Sequence, residues 1–400
     1  MNPQDNDTKP SEAPSVGQEV QPVSSTPSTN AVPPTPAAPT ETAPAAPQPT
    51  SSTSTVVSSK GTGKRRKWLV GALIIILLAA AVAWWVNHNH KVTTPKPTVT
   101  KSQKATPKSN AQGVQLDPNK NYGDKYANGL LPVGDGKYSS TTAAKVTVYV
   151  CSQYETNLKT GGGGASTRGP WFTSNNTEYD INKKAHVAGS VSWQSSFSNT
   201  VSGSTRSIVT NDLPTHVTGV FPIAASDPAY AYDRNPNTIK TQSLTYALTA
   251  NPTYGNPNCM GGQVGVMLTG VALFNAFDAG GRDAGAWEVQ DSCGGHPEKQ
   301  GEYHYHTLSS CIKDISVHTV IGYALDGFPI TGPQVAAHNI LTTTDLDECH
   351  GLTSTVTVNG QTTTTYHYVM TQDFPYSASC FRSQAIQPPG LSSSGGGPRP

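Results

Sequence analysis

Charge is scarce in this chain, at 13% of its residues, and at 35% hydrophobic it holds less apolar material than a wholly globular chain of 400 residues. The shortage is local. Residues 1–63 carry 5 acidic and 2 basic side chains among runs such as Pro33-Pro34-Thr35-Pro36 and Ser51-Ser52-Thr53-Ser54. So little apolar surface cannot offset backbone ordering at roughly 1–2 kcal/mol per residue, and a disordered tail is expected there. Cysteine is absent before Cys151. A basic surplus is absent from the back of the chain, where residues 146–400 hold 12 basic and 18 acidic side chains. That excludes a folded nucleic-acid binder, which needs a basic face. There is also no His-Glu-x-x-His, no Gly-x-Ser-x-Gly, no phosphate-binding Gly-Lys-Ser/Thr loop and no dinucleotide fingerprint. The four glycines at 161–164 have no strand-loop-helix context and read as a flexible loop. A nucleotide enzyme is not expected.

What is present begins with Lys64-Arg65-Arg66-Lys67 and the 19 charge-free residues 68–86 that follow. At 1.5 Å per residue, such a run covers about 28 Å, close to the hydrocarbon thickness of a bilayer. Trp68, Trp84 and Trp85 mark its two ends, where indoles prefer the interface. Residues 64–90 are therefore expected to be a basic flank and a transmembrane helix contacting the lipid bilayer. The basic side keeps residues 1–63 cytoplasmic and sends the C-terminal part outside the cell. Ala81-Val82-Ala83 has the form of a cleavage site, but it lies inside the apolar run, so an uncleaved anchor is favoured. Residues 91–143 read as a flexible basic stalk, stiffened by proline. They form a solvated spacer that could also lie against an anionic envelope polymer.

From residue 144 to 385 the composition becomes that of one exported, mainly β domain, a sandwich or an irregular barrel, followed by a disordered tail at 386–400. Residues 145–150, 243–250, 263–268, 302–308, 317–324 and 362–371 read as strands, and residues 334–341 as one short helix. No repeat of fixed period is evident, although Tyr-His-Tyr occurs twice. Six cysteines beyond the membrane imply an oxidising exterior and up to three disulfides. Fifteen pairings are possible; short loops favour Cys293–Cys311 and Cys349–Cys380, which leaves Cys151–Cys259. Thiolate ligation of a metal is the rival reading, because Cys293-x-x-His296 and Cys349-His350 have ligand-like spacing.

The segment Asp291-Ser-Cys293-Gly-Gly-His296 through Glu302-Tyr303-His304-Tyr305-His306 carries most of the chemistry. Strand alternation places Glu302, His304 and His306 on one face and the tyrosines on the other. Tyr366-His367-Tyr368 repeats the phase. If the two strands approach, His304, His306 and His367 could converge on zinc or copper. Glu302, His296, His350, Asp291 and Asp326 are further ligand or outer-sphere candidates, and Glu302 is the candidate general base. A metal-free hydrogen-bonded cluster, with the tyrosines as core, would give the same pattern. Whether the domain is an enzyme stays open. The alternative of another class is a non-catalytic surface module binding an envelope glycan or another cell, supported by the long stalk and by Trp171, Trp193 and Trp287.

Several further segments occur in a characteristic order: Gly219-Val-Phe-Pro-Ile223, Tyr230-Ala-Tyr-Asp-Arg-Asn-Pro-Asn237, Gly265 through Asn275, Gly322-Tyr-Ala-Leu-Asp-Gly-Phe-Pro-Ile330, Leu346-Asp-Glu-Cys-His-Gly351 and Phe374-Pro-Tyr-Ser-Ala-Ser-Cys380. With the Tyr-His-Tyr-His run, they resemble the YHYH-domain family across roughly residues 146–385. The resemblance implies a secreted or surface bacterial protein and brings no established activity. Two positions depart from the pattern. Val369 stands where a second histidine would continue the later tripeptide, and His350 stands where asparagine is usual.

Overall fold

The computed structural model describes residues 112–154, 165 and 167–389. The expected tail at 1–63, the transmembrane run at 68–86 and the four glycines at 161–164 lie outside them. Among the described residues no helix is long and apolar enough to cross a membrane.

The core is an eight-stranded open mixed sheet, so the barrel alternative falls. Its strands are β1 (Gln263–Met267), β2 (Ala272–Phe274), β3 (Gly295–Pro297), β4 (Tyr303–Tyr305), β5 (Val320–Ala324), β6 (Pro329–Thr331), β7 (Gly351–Val358) and β8 (Gln361–Val369), in the order β3-β4-β2-β1-β5-β6-β8-β7. Central β1 and β5 are buried at every residue, which is why, Gln263 apart, they read as apolar runs without alternation.

Read from either edge, the sheet is the same. β1 and β2 form an antiparallel pair, β2 takes β4 in parallel, and β3 closes antiparallel on β4. β5, β6, β8 and β7 repeat those pairings in that order. The match holds residue by residue. Tyr305 lies opposite Leu273 and Gly295, as Tyr368 lies opposite Ile330 and Gly351. At the centre Gly322 faces Met267 and Ala324 faces Gly265, as a two-fold axis between β1 and β5 requires. The turns out of β1 and β5 hold Gly270 at φ 89° and Gly327 at φ 90°, a left-handed conformation that favours glycine. A Cβ on Gly295 would come within 2.2 Å of the Tyr303 ring, and one on Gly351 within 2.2 Å of the Tyr366 hydroxyl. The domain therefore contains an internal repeat. Its loops differ in length, so equivalent residues keep no constant offset, and a search for a fixed period misses it.

The surroundings differ from expectation in two further ways. Residues 334–341 form a β-hairpin, Gln334–Ala336 against Asn339–Ile340, not a helix; Ala337 and His338, the latter at φ 56°, make the turn. Residues 112–143, expected as the end of the stalk, lie on the domain. Leu116 N–H donates to Thr353 O and Thr353 N–H to Val114 O, so the start of this stretch straps the second repeat along β7. A three-stranded antiparallel sheet, Phe197–Ser202, Thr205–Thr210 and Leu244–Thr249, stands beside the main one. Its first hairpin was unread in the sequence because Phe197–Ser202 is mostly Ser, Thr and Asn and largely exposed.

All six cysteines are bridged, Cys151–Cys259, Cys293–Cys311 and Cys349–Cys380, which is the pairing that loop length favoured. No thiolate is available for a metal.

Candidate metal centre

The first repeat gathers three histidines. His304 and His306 come from β4 and its end, and His296 from β3, where it pairs directly with His304 across the ladder. One ligand atom from each lies within 4.8 Å of the others, and all three side chains are buried. His304 Nε2 is 3.1 Å from His306 Nε2. Glu288, one residue past the short helix α1 (Ala284–Trp287), puts Oε2 at 3.3 Å from both His296 Nε2 and His306 Nε2. Asp283 caps α1 by accepting from Ala286 N–H; that cap sets where the chain leaves the helix and presents Glu288.

The far side of each ring determines what faces the centre. His304 Nδ1 meets Glu302 O at 3.2 Å, and His306 Nδ1 meets Asn275 O at 2.5 Å. A carbonyl only accepts, so both Nδ1 atoms carry the proton and both Nε2 atoms point bare lone pairs at each other. His296 differs. Its Nδ1 has the Asn235 amide nitrogen at 3.4 Å, too long to lock the ring. His296 Nε2 and Glu288 Oε2, although 3.3 Å apart, lack hydrogen-bond alignment and remain without partners. Burial drives the His304 imidazole well below its ordinary value and that of His306 down to about 4. Burial works the same way on His296, but the Glu288 carboxylate outweighs it and raises this ring. Glu288 is pulled to about 2, against its own burial, by His296, His306 and the buried Lys184. The cluster thus sets one carboxylate against three imidazoles, two of which burial holds toward the neutral form.

A cavity of about 440 Å³ opens onto this cluster, walled by Phe277, Pro236, Pro297 and the Asp278–Arg282 ion pair at 2.6 Å. The Asn235 and Asn237 amides both donate to Pro297 O, which ties the wall to β3.

The remaining expected ligands are elsewhere. His367 does not converge with His304 and His306. It sits in the second repeat, fully buried between Thr331 Oγ1 at 2.9 Å and Ser354 Oγ at 2.8 Å. The two Tyr-His-Tyr strands are separated by β2, β1, β5 and β6, so equal phase placed them at symmetric positions and not at one point. His350 bonds Thr371 Oγ1 at 3.0 Å. Asp291 is spent on the N–H groups of Cys293, Gly295 and Gly219 and on the Tyr303 hydroxyl. Asp326 is spent on Phe328, Arg382 and Ser383 N–H and the Tyr368 hydroxyl. Glu302 has no contact with the cavity. Burial first, then Glu298, lift its carboxyl to about 7, and the proposed base belongs neither to the cavity wall nor to the histidine cluster. Glu288 is the acidic member that sequence reasoning missed. It follows a one-turn helix, where neither periodicity offers a signal.

The family comparison covers this repeat and the first two strands of the second, β5 and β6. Residues 245–340 match the family model described as YHYH protein. The YHYH segment covers about a quarter of the chain. It contains Glu288, His296, His304 and His306, and ends before β7 and β8. No curated protein and no solved structure matches the chain.

Proposed function

We propose that the YHYH segment binds one transition-metal ion, zinc or copper, through His304, His306, His296 and Glu288. The observation that carries this reading is the 3.1 Å approach of two imidazole nitrogens whose protons are both committed elsewhere. Two facing lone pairs at that distance repel unless a cation sits between them. Three of the six separations in such a set, 3.1, 3.3 and 3.3 Å, also approach the edge of about 3.3–3.4 Å that a tetrahedron of ligands at 2.0–2.1 Å would have.

A metal held this way would supply a redox centre or, where its coordination expands beyond the four protein ligands, an acidified water, and the cavity would give a small molecule access to it. His304 and His306 act as pre-oriented neutral ligands, and Glu288 compensates charge. Phe274 stacks on His304 at 4.2 Å and holds the ring in place. In the same reading, residues 68–86 anchor the chain in the cell membrane and the domain stands outside, consistent with three disulfides. The glycan-binding alternative has less support, since Trp171 is buried, Trp287 packs on Phe172 and Trp193 is bonded to Thr218.

The test is elemental analysis of the untagged, detergent-solubilised full chain. About one equivalent of metal, lost in His304→Ala/His306→Ala, supports the proposal. A folded protein that takes up neither zinc nor copper overturns it.

A further inference from the structure

The second repeat holds, position for position, the frame of the site in the first. Each begins with an Asp-x-Cys loop whose aspartate accepts from the cysteine N–H and from a glycine N–H two residues further on. These are Asp291 with Cys293 and Gly295, and Asp347 with Cys349 and Gly351. In each, a tyrosine of the inner strand donates its hydroxyl to that aspartate, Tyr303 at 2.8 Å and Tyr366 at 3.1 Å. The next tyrosine donates to the residue before the turn glycine, Tyr305 to Thr269 and Tyr368 to Asp326. Each loop cysteine is bridged to a cysteine beyond the inner strand. His367 therefore stands where His304 does, Leu352 where His296 does and Val369 where His306 does.

The two substituted positions are not merely apolar. Leu352 and Val369 form one buried cluster with Val317, Leu341 and Leu346, against which Val114, Leu116 and Tyr122 of the strap pack. Thr331, in place of Phe274, takes His367 as a hydrogen-bond partner, and three residues before the loop aspartate, where the first repeat has Glu288, the second has the exposed Thr344.

We propose that the chain carries a second, silenced metal site at Leu352, His367 and Val369. Its ligand positions are now hydrophobic core, and the strap covers the side from which a metal would enter. The proposal rests on the metal reading of the first repeat. It implies that the backbone of the second repeat still presents three ligand positions to one point.

The test uses the full chain in which His304→Ala and His306→Ala have emptied the first site. Adding Leu352→His and Val369→His to that background should restore about one equivalent of zinc, and cobalt should give a tetrahedral absorption band that further His367→Ala removes. Protease resistance and intact disulfides report the fold. A folded quadruple variant that binds neither ion overturns the proposal, while metal on the unaltered chain would leave the first reading standing. Metal-free unaltered protein overturns both. Should the quadruple variant not fold, Val369→His alone in the same background decides, since it leaves Leu352 in the cluster. Micromolar zinc binding that depends on His367 supports the silenced site, and its absence overturns it.

Discussion

The two repeats share a strand order, a tyrosine–aspartate bonding scheme and a Tyr-His-Tyr tripeptide, yet only one assembles a polar centre. In the first, three buried imidazoles and a half-buried carboxylate line an accessible cavity with two orphaned atoms. In the second, the one histidine retained is satisfied on both ring nitrogens, and leucine and valine fill the rest. The same backbone thus supports a ligand site or plain core, depending on two side chains and the presence of a cover. A histidine on such a strand says nothing by itself; what it donates to on its far side determines its role.

The largest contrast should appear when the equivalent histidines are removed. His304→Ala with His306→Ala should weaken metal binding by at least ~100-fold, since two of four ligands go, with a modest change in stability. His367→Ala should leave metal content untouched and lower unfolding free energy by roughly 2–4 kcal/mol, because Thr331 and Ser354 lose their buried partner and a void remains. Metal content and urea unfolding of both variants check this, and a His367 variant that loses metal would erase the distinction.

The sequence made much of this legible. Strand alternation grouped Glu302, His304 and His306, of which the structure brings the two histidines together; short loops paired the cysteines, and the ordered motifs pointed to the YHYH segment. It did not reveal that the two Tyr-His-Tyr strands lie four strands apart in a symmetric sheet, because phase within a strand carries no information about its place in the order. Nor could it show that His296 would complete the cluster, since that depends on the cross-strand register of β3 and β4, or that Glu288 would, since it depends on where a capped turn of helix releases the chain.

Titration should separate a second pair of sites with opposite sign. Burial lowers His367 and His350 to about 3, below the ordinary 6.5, so in acid the unfolded chain takes up protons that the folded one refuses. Their contribution to stability is complete above pH ~6.5 and is lost as pH falls toward 3. The destabilisation caused by His367→Asn should therefore shrink across that window, by up to roughly 5 kcal/mol at about 1.4 kcal/mol per pH unit. Asp283, next to the first site, is raised by burial to about 7, and its contribution runs the other way, lost as pH rises from ~4 through 7. Asp283→Asn should thus cost less at pH 8 than at pH 4. Denaturation midpoints at four pH values would check both; parallel curves would sink the assignment.

The hydroxyl network offers an internal control. Tyr303→Phe and Tyr366→Phe each leave a buried aspartate oxygen short of one donor, so each should cost about 1–2 kcal/mol. The repeat predicts similar losses at the two positions despite their different surroundings. A difference above ~1.5 kcal/mol would show that the frame is no longer equivalent energetically.

The smallest effect tests the cover. The outer strand of each repeat is tied at the same place by a different segment. Pro297 O receives the Asn235 and Asn237 amides, whereas its counterpart Thr353 exchanges backbone hydrogen bonds with Val114 and Leu116. Leu116 is only half-buried, so Leu116→Ala should cost about 1 kcal/mol. It should also loosen the strap locally. Amide exchange of Thr353, whose N–H donates to Val114 O, should accelerate severalfold while that of Tyr305 in the first repeat stays unchanged. Equal acceleration at both would mean that the strap stabilises the domain as a whole instead of sealing one repeat. The asymmetry between an open centre and a covered one would then lie in the side chains of β7 and β8 alone.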